Sequence, residues 1–339
     1  MEKKNIILYS ICAVATVFLV VLAVMMQSLI RHASDLGKKV TDEKVLLFVD
    51  GDDTPDSVKA KSLLGWRFDL YGKVMPYKVR TGRYAIKNGT TSLELYRQLR
   101  NGIQEPTKVV VPSVRTTVQL AEAIGKQLMI GSEEIKAAFA DTSFCKKLGY
   151  DAATFPSFFI PNTYEIYWNT SLDALMERLK KEHENFWNEA RKAKAKQLEM
   201  TPEEVSTLAS IIDEETQNNA EKPTVAGMYI NRLKKGMLLQ ADPTVKFALG
   251  DFALRRIYYK HLEVDNPYNT YRYAGLPPGP IRIPSIRAID AVLNYKKSSY
   301  LYMCAKEDFS GTHNFATTLT EHMRNARKYA AALNARGIR

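Results

Sequence analysis

Cysteine is scarce in this sequence, with three residues among 339. Cys12 falls in an apolar N-terminal segment, and the two that remain, Cys145 and Cys304, are too few for a disulfide framework. The histidines are not spaced like metal ligands, and no glycine-rich loop of the phosphate-binding kind occurs. The sequence therefore predicts neither a metal site nor a cofactor.

Glycine and proline are also few, at 17 and 14 residues, in a chain that is 45% hydrophobic and 25% charged. This composition excludes a collagenous or largely disordered protein. Since domains usually run to about 100–200 residues, the chain is long enough for two compact modules.

Acidic residues number 37 against 48 basic ones, which gives a net charge of +11. Such a charge suits nucleic acid, anionic lipid headgroups or an anionic cell-wall polymer as partners. The basic residues are spread along the chain, and the known signatures of nucleic-acid recognition are missing. We therefore predict no nucleic-acid partner and interpret most basic residues as solvated helix faces.

Charge is missing altogether from residues 6–30. A helix of this length exceeds the roughly 30 Å of a bilayer's hydrocarbon layer, whereas the apolar core of a cleaved signal peptide, the alternative, is normally about 7–15 residues. We predict a retained transmembrane helix over 6–30, with residues 1–5 in the cytoplasm and the rest of the chain outside. Because the flanking positive charges are nearly balanced, this orientation depends on the short N-terminus.

A small α+β module is predicted next to the membrane, over residues 40–112. Short apolar strands are indicated at Val45–Val49, at Gly82–Ile86 and over 108–111, and Thr54 and Thr91 have the capping signals that begin helices. Such a module could be a carbohydrate-binding unit or only a spacer.

The remaining residues, 113–339, are predicted to form a larger α+β domain. An aromatic segment at 155–168 interrupts its helical pattern with three phenylalanines and three further aromatic residues. These rings suit either stacking on sugars or ordinary core packing.

The best-defined helix of this domain begins after Thr201. Thr201 caps the helix, Pro202 takes its first position, and Glu204 completes a capping box. Winding the helix at about 100° per residue aligns the apolar residues that follow. The resulting stripe consists of Val205, Leu208, Ala209 and Ile212.

Three acids follow in a row, and the same winding separates them. Glu214 is predicted to point into solvent and Asp213 to lie on the far flank, whereas Glu215 projects beside the edge formed by Leu208 and Ile211. A carboxyl group held against apolar surface has a raised pKa, as a general acid for glycosidic cleavage requires. The alternative is a surface cluster of acids at a helix end.

Several blocks, in order along the chain, carry a family resemblance. They read LASIIDEET (208–216), NRL with GM (231–237), LQADPTV (239–245), PYNTY (267–271), GLPPGPI (275–281), and GTHNF with EH (311–322). These blocks resemble the endolytic murein transglycosylases, the MltG or YceG-like family. A weaker likeness extends upstream and includes the apolar N-terminus.

The resemblance implies a LysM-like module beside the membrane and a catalytic domain that cuts nascent glycan strands at internal bonds, with cell-wall synthases as partners. It also implies that Glu215 is the catalytic residue, which is the residue that the winding selects. In the expected mechanism, Glu215 protonates the oxygen between N-acetylmuramic acid and N-acetylglucosamine. It then accepts the proton of the muramic 6-hydroxyl, which closes a 1,6-anhydro ring, whereas glycoside hydrolysis normally uses two carboxylates.

Six residues of the matching blocks are predicted to bind substrate. They are Gln240, Asp242, Asn269, Tyr271, His313 and Asn314. Turn stabilisation is the alternative for Asp242, core packing for Tyr271 and a purely structural role for His313. The proline-rich block 275–281 is predicted to be a rigid loop that walls a groove.

Two other functions stay open on the sequence alone. One is a non-catalytic, membrane-anchored peptidoglycan-binding scaffold, which would not need Glu215 on an apolar helix edge. The other is a glycosidase or amidase that uses water. The chain also departs from the family pattern over 112–115, at Ser285 and Ile286, and at Asn294 and Tyr295, which affects loop shape and substrate fit.

Overall fold

The structure is a computed structural model that describes residues 2–254 and 256–337, with side chains from residue 14 onward apart from His32 and Leu36. It divides into two compact units, of which the first comprises residues 1–107 with 167–169 and the second 108–166 with 170–339. Helices and strands occur in both, which confirms the predicted α+β class.

The chain begins with one long helix, α1 (Glu2–Leu36). Its stretch Val14–Asp35, of 22 residues with a mean hydropathy of 2.1, is long and apolar enough to cross a membrane. This stretch overlaps the predicted segment 6–30. The side chains of residues 6–13, and Met1 of the predicted cytoplasmic stretch 1–5, lie outside the described part of the chain.

After α1, the first unit contains two strands and three helices. β1 (Val45–Val49) and β2 (Gly82–Ile86) pair antiparallel, so that Val45 lies opposite Ile86 and Val49 opposite Gly82. The helices are α2 (Pro55–Lys61), α3 (Trp66–Val74) and α4 (Ser92–Asn101). Thr54 caps α2 and Thr91 caps α4, as predicted.

The strand predicted over 108–111 is β3 (Thr107–Val111), and it pairs with β4 (Asn162–Ile166) of the second unit. The N-terminal stretch of the first compact unit ends at residue 107, and the module boundary at residue 112 stays a prediction. Strand pairing depends on a partner far along the chain, which a local apolar run does not reveal.

The first half of the second unit packs around the aromatic segment. Its helices are α5 (Thr117–Gly125), α6 (Gly131–Ala140), α7 (Thr142–Lys147) and α8 (Leu172–Phe186), with a 3₁₀ turn at Phe155–Phe158. Phe155, Phe158 and Phe159 are buried in this core, so core packing is the correct alternative for them. Trp168 belongs to the first unit, where its ring lies 5.0 Å from that of Phe48.

The second half of this unit contains seven helices and a hairpin within the described residues. The helices are α9 (Glu189–Gln197), α10 (Pro202–Glu215), α11 (Lys222–Lys234), α12 (Asp242–Leu249), α13 (Tyr259–Leu262), α14 (Ile286–Leu293) and α15 (Leu319–Ala335). β5 (Tyr302–Ala305) and β6 (His313–Ala316) pair antiparallel.

Helix α10 is central to this half, because every residue from Val205 to Asp213 is buried. Its buried hydroxyl groups donate to carbonyls one turn earlier in the helix, as Ser206 does to Pro202 at 2.8 Å. Ser210 Oγ also accepts the Ile281 N–H at 3.0 Å. The helix therefore packs on all sides and not only along the predicted stripe.

Candidate active site

Both ends of α10 are fixed, and its C-terminal end positions Glu215. At the N-terminal end, the Glu204 N–H donates to Thr201 Oγ1 at 3.2 Å and the Thr201 N–H donates to Glu204 Oε2 at 2.8 Å, which is the predicted capping box. Glu215 is the last residue of the helix. A carboxylate at this negative end of a helix dipole is electrostatically disfavoured.

Asp213 holds the last turn of α10 to two other helices. Its carboxylate forms a buried ion pair with Lys222 at the start of α11. The same carboxylate accepts the Ser285 N–H at 2.6 Å and the Ser285 hydroxyl at 2.9 Å. Because Ser285 caps α14, Asp213 ties α10, α11 and α14 together.

Glu214 lies between two arginines. This contradicts the prediction that its side chain points into solvent. Arg115 donates to both of its oxygens, at 2.9 and 2.8 Å, and Arg282 donates to Oε1 at 2.9 Å. Arg282 also donates to the carbonyl and hydroxyl of Ser113, each at 2.9 Å. These partners are distant in sequence, so the helical winding could not predict them.

Glu215 differs from its two neighbours because it makes no ion pair within the described part of the chain. Its carboxyl group accepts one hydrogen bond, from the Tyr229 hydroxyl to Oε1 at 2.8 Å. Burial raises the pKa of Glu215 to about 7, the Tyr229 hydrogen bond opposes that shift, and the charge of Asp242 adds to it. Both protonation states of the side chain are therefore accessible near neutral pH.

Glu215 opens onto a pocket of about 400 Å³. One wall comes from α11, through Tyr229 and Arg232, and another from the hairpin β5–β6. The remaining walls come from the segment before α12, from Tyr271 and from the start of α15. Four of the six predicted substrate-binding residues line it together with Glu215. They are Gln240, Asp242, Tyr271 and His313.

Gln240 sits at the rim of this pocket in a strained backbone conformation. Its φ of 52° lies in the left-handed region, which costs a residue with a side chain about 1 kcal/mol or more. A hydrogen bond from the Gln240 N–H to the Thr270 carbonyl, at 3.0 Å, stabilises this conformation. Arg232 donates to Gln240 Oε1 at 3.0 Å and to the Leu239 carbonyl at 2.7 Å.

Asp242 is the second carboxylate of the pocket. It begins α12, where the helix dipole favours an anion, and it accepts the Tyr271 hydroxyl at 2.5 Å. Burial raises the pKa of the Tyr271 phenol, and the hydrogen bond to Asp242 raises it further. Tyr271 therefore remains a donor, and both side chains present polar atoms to the pocket.

His313 is oriented by Glu221, a residue that sequence reasoning missed. The backbone N–H of His313 donates to Glu221 Oε1 at 2.8 Å, and Nδ1 of the His313 ring lies 2.8 Å from Glu221 Oε2. The Thr216 hydroxyl, next to Glu215, also donates to Glu221 at 3.3 Å. Because Nδ1 of His313 contacts the Glu221 carboxylate, Nε2 is the ring nitrogen that remains available to a ligand in the pocket.

Asn269 and Asn314 do not line the pocket. Asn269 is fully buried, and its amide donates to the carbonyls of Leu262 and Val264, each at 2.8 Å. The Asn314 amide donates to Glu307 at 2.8 Å. Both amides therefore hold loops in place.

The proline-rich block 275–281 does not line the pocket either. It packs against other backbone, since a Cβ on Gly279 would lie 2.0 Å from the Ala153 carbonyl oxygen. In the described residues, no group of three His, Cys, Asp or Glu side chains could hold a metal ion.

Comparison with known proteins identifies a family, because the model of the YceG-like family matches residues 53–328 of this chain. The chain belongs to the YceG-like family. The match includes parts of both units and every residue that lines the pocket.

Named relatives of this YceG-like chain include bacterial transglycosylases. An endolytic murein transglycosylase of Bacillus subtilis is 31% identical over 271 residues, which are 75% of this chain and 74% of that protein. One from Streptococcus pneumoniae is 26% identical over 300 residues, which cover 78% of this chain and 53% of the relative. The crystal structure of a YceG-like protein from Listeria monocytogenes has a TM-score of 0.56 and 25% identity, and covers 84% of this chain and 99% of that one.

The residues of this YceG-like site that were not predicted include Tyr229, Arg232 and Glu221. Arg232 belongs to the block NRL that carried the resemblance. Tyr229 stands one helical turn before Arg232 on α11, so helical spacing from that block would have found it. Glu221 lies in the turn between α10 and α11, and no periodic signal marks it.

Proposed function

We propose that this chain is an endolytic murein transglycosylase that cleaves peptidoglycan glycan strands, with Glu215 as its acid and base. One observation carries the proposal. Of three consecutive acids, two are neutralised by cations, and the third lies in a pocket with a raised pKa. The curated relatives named endolytic murein transglycosylase support the same activity.

In the proposed reaction, protonated Glu215 donates to the oxygen between N-acetylmuramic acid and N-acetylglucosamine. The acetamido group of the substrate stabilises the charge that develops on the sugar. The resulting Glu215 carboxylate accepts the proton of the 6-hydroxyl, and the 1,6-anhydro ring closes. A pKa of about 7 suits both steps, because each protonation state is populated at neutral pH.

The other residues of the pocket are proposed to hold the sugars. Gln240, Asp242, Tyr271 and His313 present amide, carboxylate, phenol and imidazole groups beside Glu215. For Asn269 and Asn314 we propose an indirect part in binding, since their amides fix the loops that carry Tyr271 and His313. No cofactor is needed for this chemistry.

The N-terminal helix α1 is proposed to anchor the chain in the bacterial cytoplasmic membrane, with residues 1–5 inside and the chain after α1 outside. Residues 40–112 are proposed to act as a LysM-like module that binds glycan near the membrane. Cell-wall synthases that make the glycan strand are the proposed protein partners.

A hydrolytic glycosidase is the second candidate, because Asp242 supplies another carboxylate to the pocket of Glu215. The two reactions leave different ends on the glycan. The test is mass spectrometry of the muropeptides that the purified full-length protein releases from sacculi. Anhydro ends are expected, reducing ends would replace the proposal with hydrolysis, and binding without any product would favour the scaffold.

A further inference from the structure

A second cavity adjoins the pocket of Glu215. It has a volume of about 650 Å³ and lies along the first two turns of α15 (Leu319–Ala335). Leu319 lines both cavities, and His322 of the same helix lines the pocket of Glu215. The two cavities therefore meet at Leu319, and the described lining of the second lies within residues 318–327.

The walls of this second cavity combine cationic and apolar groups. Arg324 and Arg327 lie one helical turn apart, both are exposed, and neither forms an ion pair or hydrogen bond with the residues that the structure describes. Leu319 and Met323 beside them are 57% and 46% exposed. Two adjacent guanidinium groups without a carboxylate partner favour a ligand that supplies one.

One acid also lines the cavity, but the helix cap uses it. Glu321 Oε2 accepts the Thr317 N–H at 3.1 Å, and the Glu321 N–H donates to Thr318 Oγ1 at 3.2 Å. The Glu321 carboxylate is thus hydrogen-bonded at the N-terminus of α15, and within the described residues it forms no ion pair with Arg324 or Arg327. The cavity retains a net positive charge.

We propose that this second cavity is a subsite for the stem peptide of the glycan strand, and this inference rests on the proposed function. The stem peptide is attached to the muramic acid residue, which the proposed reaction places at Glu215. It carries free carboxylates and short apolar side chains, which match the two arginines and the pair Leu319 and Met323. Because the cavity adjoins the pocket of Glu215 at Leu319, the substrate is favoured over an anionic lipid headgroup.

The experiment compares two substrates with the full-length protein reconstituted in phosphatidylcholine vesicles. One is a glycan strand that bears stem peptides, and the other is the same strand stripped of them by an amidase. The double variant Arg324→Gln/Arg327→Gln is expected to lower kcat/KM about tenfold more on the stem-bearing strand than on the stripped one. Lys328→Gln, an exposed cation of α15 outside the cavity, is the matched control and should not change the ratio.

Each other outcome has a distinct meaning. An equal change on both substrates, or none, would overturn the subsite. If the double variant loses activity only in vesicles that contain phosphatidylglycerol, whatever the substrate, then the surface binds lipid and the subsite is also overturned. If the parent protein cleaves neither strand, the proposed function fails instead, which the parent reaction shows before any variant is compared.

Discussion

The two flanks of the last turn of α10 have the same kind of side chain in opposite surroundings. On one flank, Asp213 and Glu214 are paired with Lys222, Arg115 and Arg282. On the other, Glu215 has a phenol as its only hydrogen-bond partner in the described residues and faces the pocket. The three acids thus differ in their charge partners, and Glu215 alone among them faces the pocket without a cation partner in the described residues.

The contrast also separates stability from chemistry. Removing one partner of a buried ion pair destabilises the fold, because the other charge stays buried without compensation. A partly buried carboxyl without a cation is costly to ionise, and that cost is what raises its pKa. Adjacent positions of one helix can therefore serve opposite purposes.

The largest expected effect comes from Glu215→Gln, which removes the proposed proton donor and acceptor from the pocket. The amide keeps the size of the side chain and can still accept from Tyr229. Formation of anhydro ends should fall by about 10²–10⁴-fold or more. Rates of product release from sacculi, measured for the parent and the variant, provide the check.

Glu214→Gln is the matched control, since its amide oxygen can still accept from an arginine and the residue lies outside the pocket. It should lose far less activity than Glu215→Gln. The reverse order of losses would contradict the assignment of Glu215.

On the paired flank, Lys222→Met should destabilise the fold by about 3–5 kcal/mol, because the Asp213 carboxylate would stay buried without its cation. Denaturant unfolding of the parent and the variant measures this change. The double variant Asp213→Asn/Lys222→Met should recover much of the loss, as it removes both charges and keeps the contacts to Ser285. An unchanged unfolding free energy in the single variant would show that the pair is not needed.

The unfolding free energy should depend on pH through Glu215. Its pKa is about 7 in the folded protein, against an ordinary value of 4.5, so between these values the folded state binds more protons than the unfolded state. Stability contributed by the neutral carboxyl is full below pH 4.5 and is lost as the pH rises through 7. Glu215→Gln should match the parent near pH 4 and exceed it by about 1–3 kcal/mol near pH 8. A constant difference across this range would argue against the raised pKa.

The smallest expected effect is that of Tyr229→Phe, which removes the hydrogen bond that lowers the pKa of Glu215. The pKa should rise, so the alkaline limb of the kcat/KM profile should move to higher pH by about one unit. Tyr302→Phe, in the same pocket but not bonded to Glu215, should leave the limb in place. If activity fell at every pH while the alkaline limb of the profile stayed in place, Tyr229 would act through packing and would not set the pKa of Glu215.

The sequence was informative wherever the signal was local. Thr201 and Glu204 defined the start of α10, and the winding from there singled out Glu215. The helical winding gave the wrong surroundings for Glu214. Its partners Arg115 and Arg282 stand 99 and 68 residues away, and helical periodicity contains no information about them. The partner of β3 was missed for the same reason. The polar residues Gln240, Asp242, Tyr271 and His313 were found through the family blocks, whereas Glu221 lies in a turn without such a block.

Helix ends commonly fray, and a proton donor on a frayed turn would spend part of its time away from the substrate. The last turn of α10 is tied by Asp213 to α11 and α14 and by Glu214 to two distant arginines. Local opening of this turn would have to break all of these contacts in one event. Its amide hydrogens should therefore exchange with solvent about as slowly as those of the buried middle of α10, and the carboxyl group of Glu215, the proposed proton donor, should stay in one position relative to the pocket.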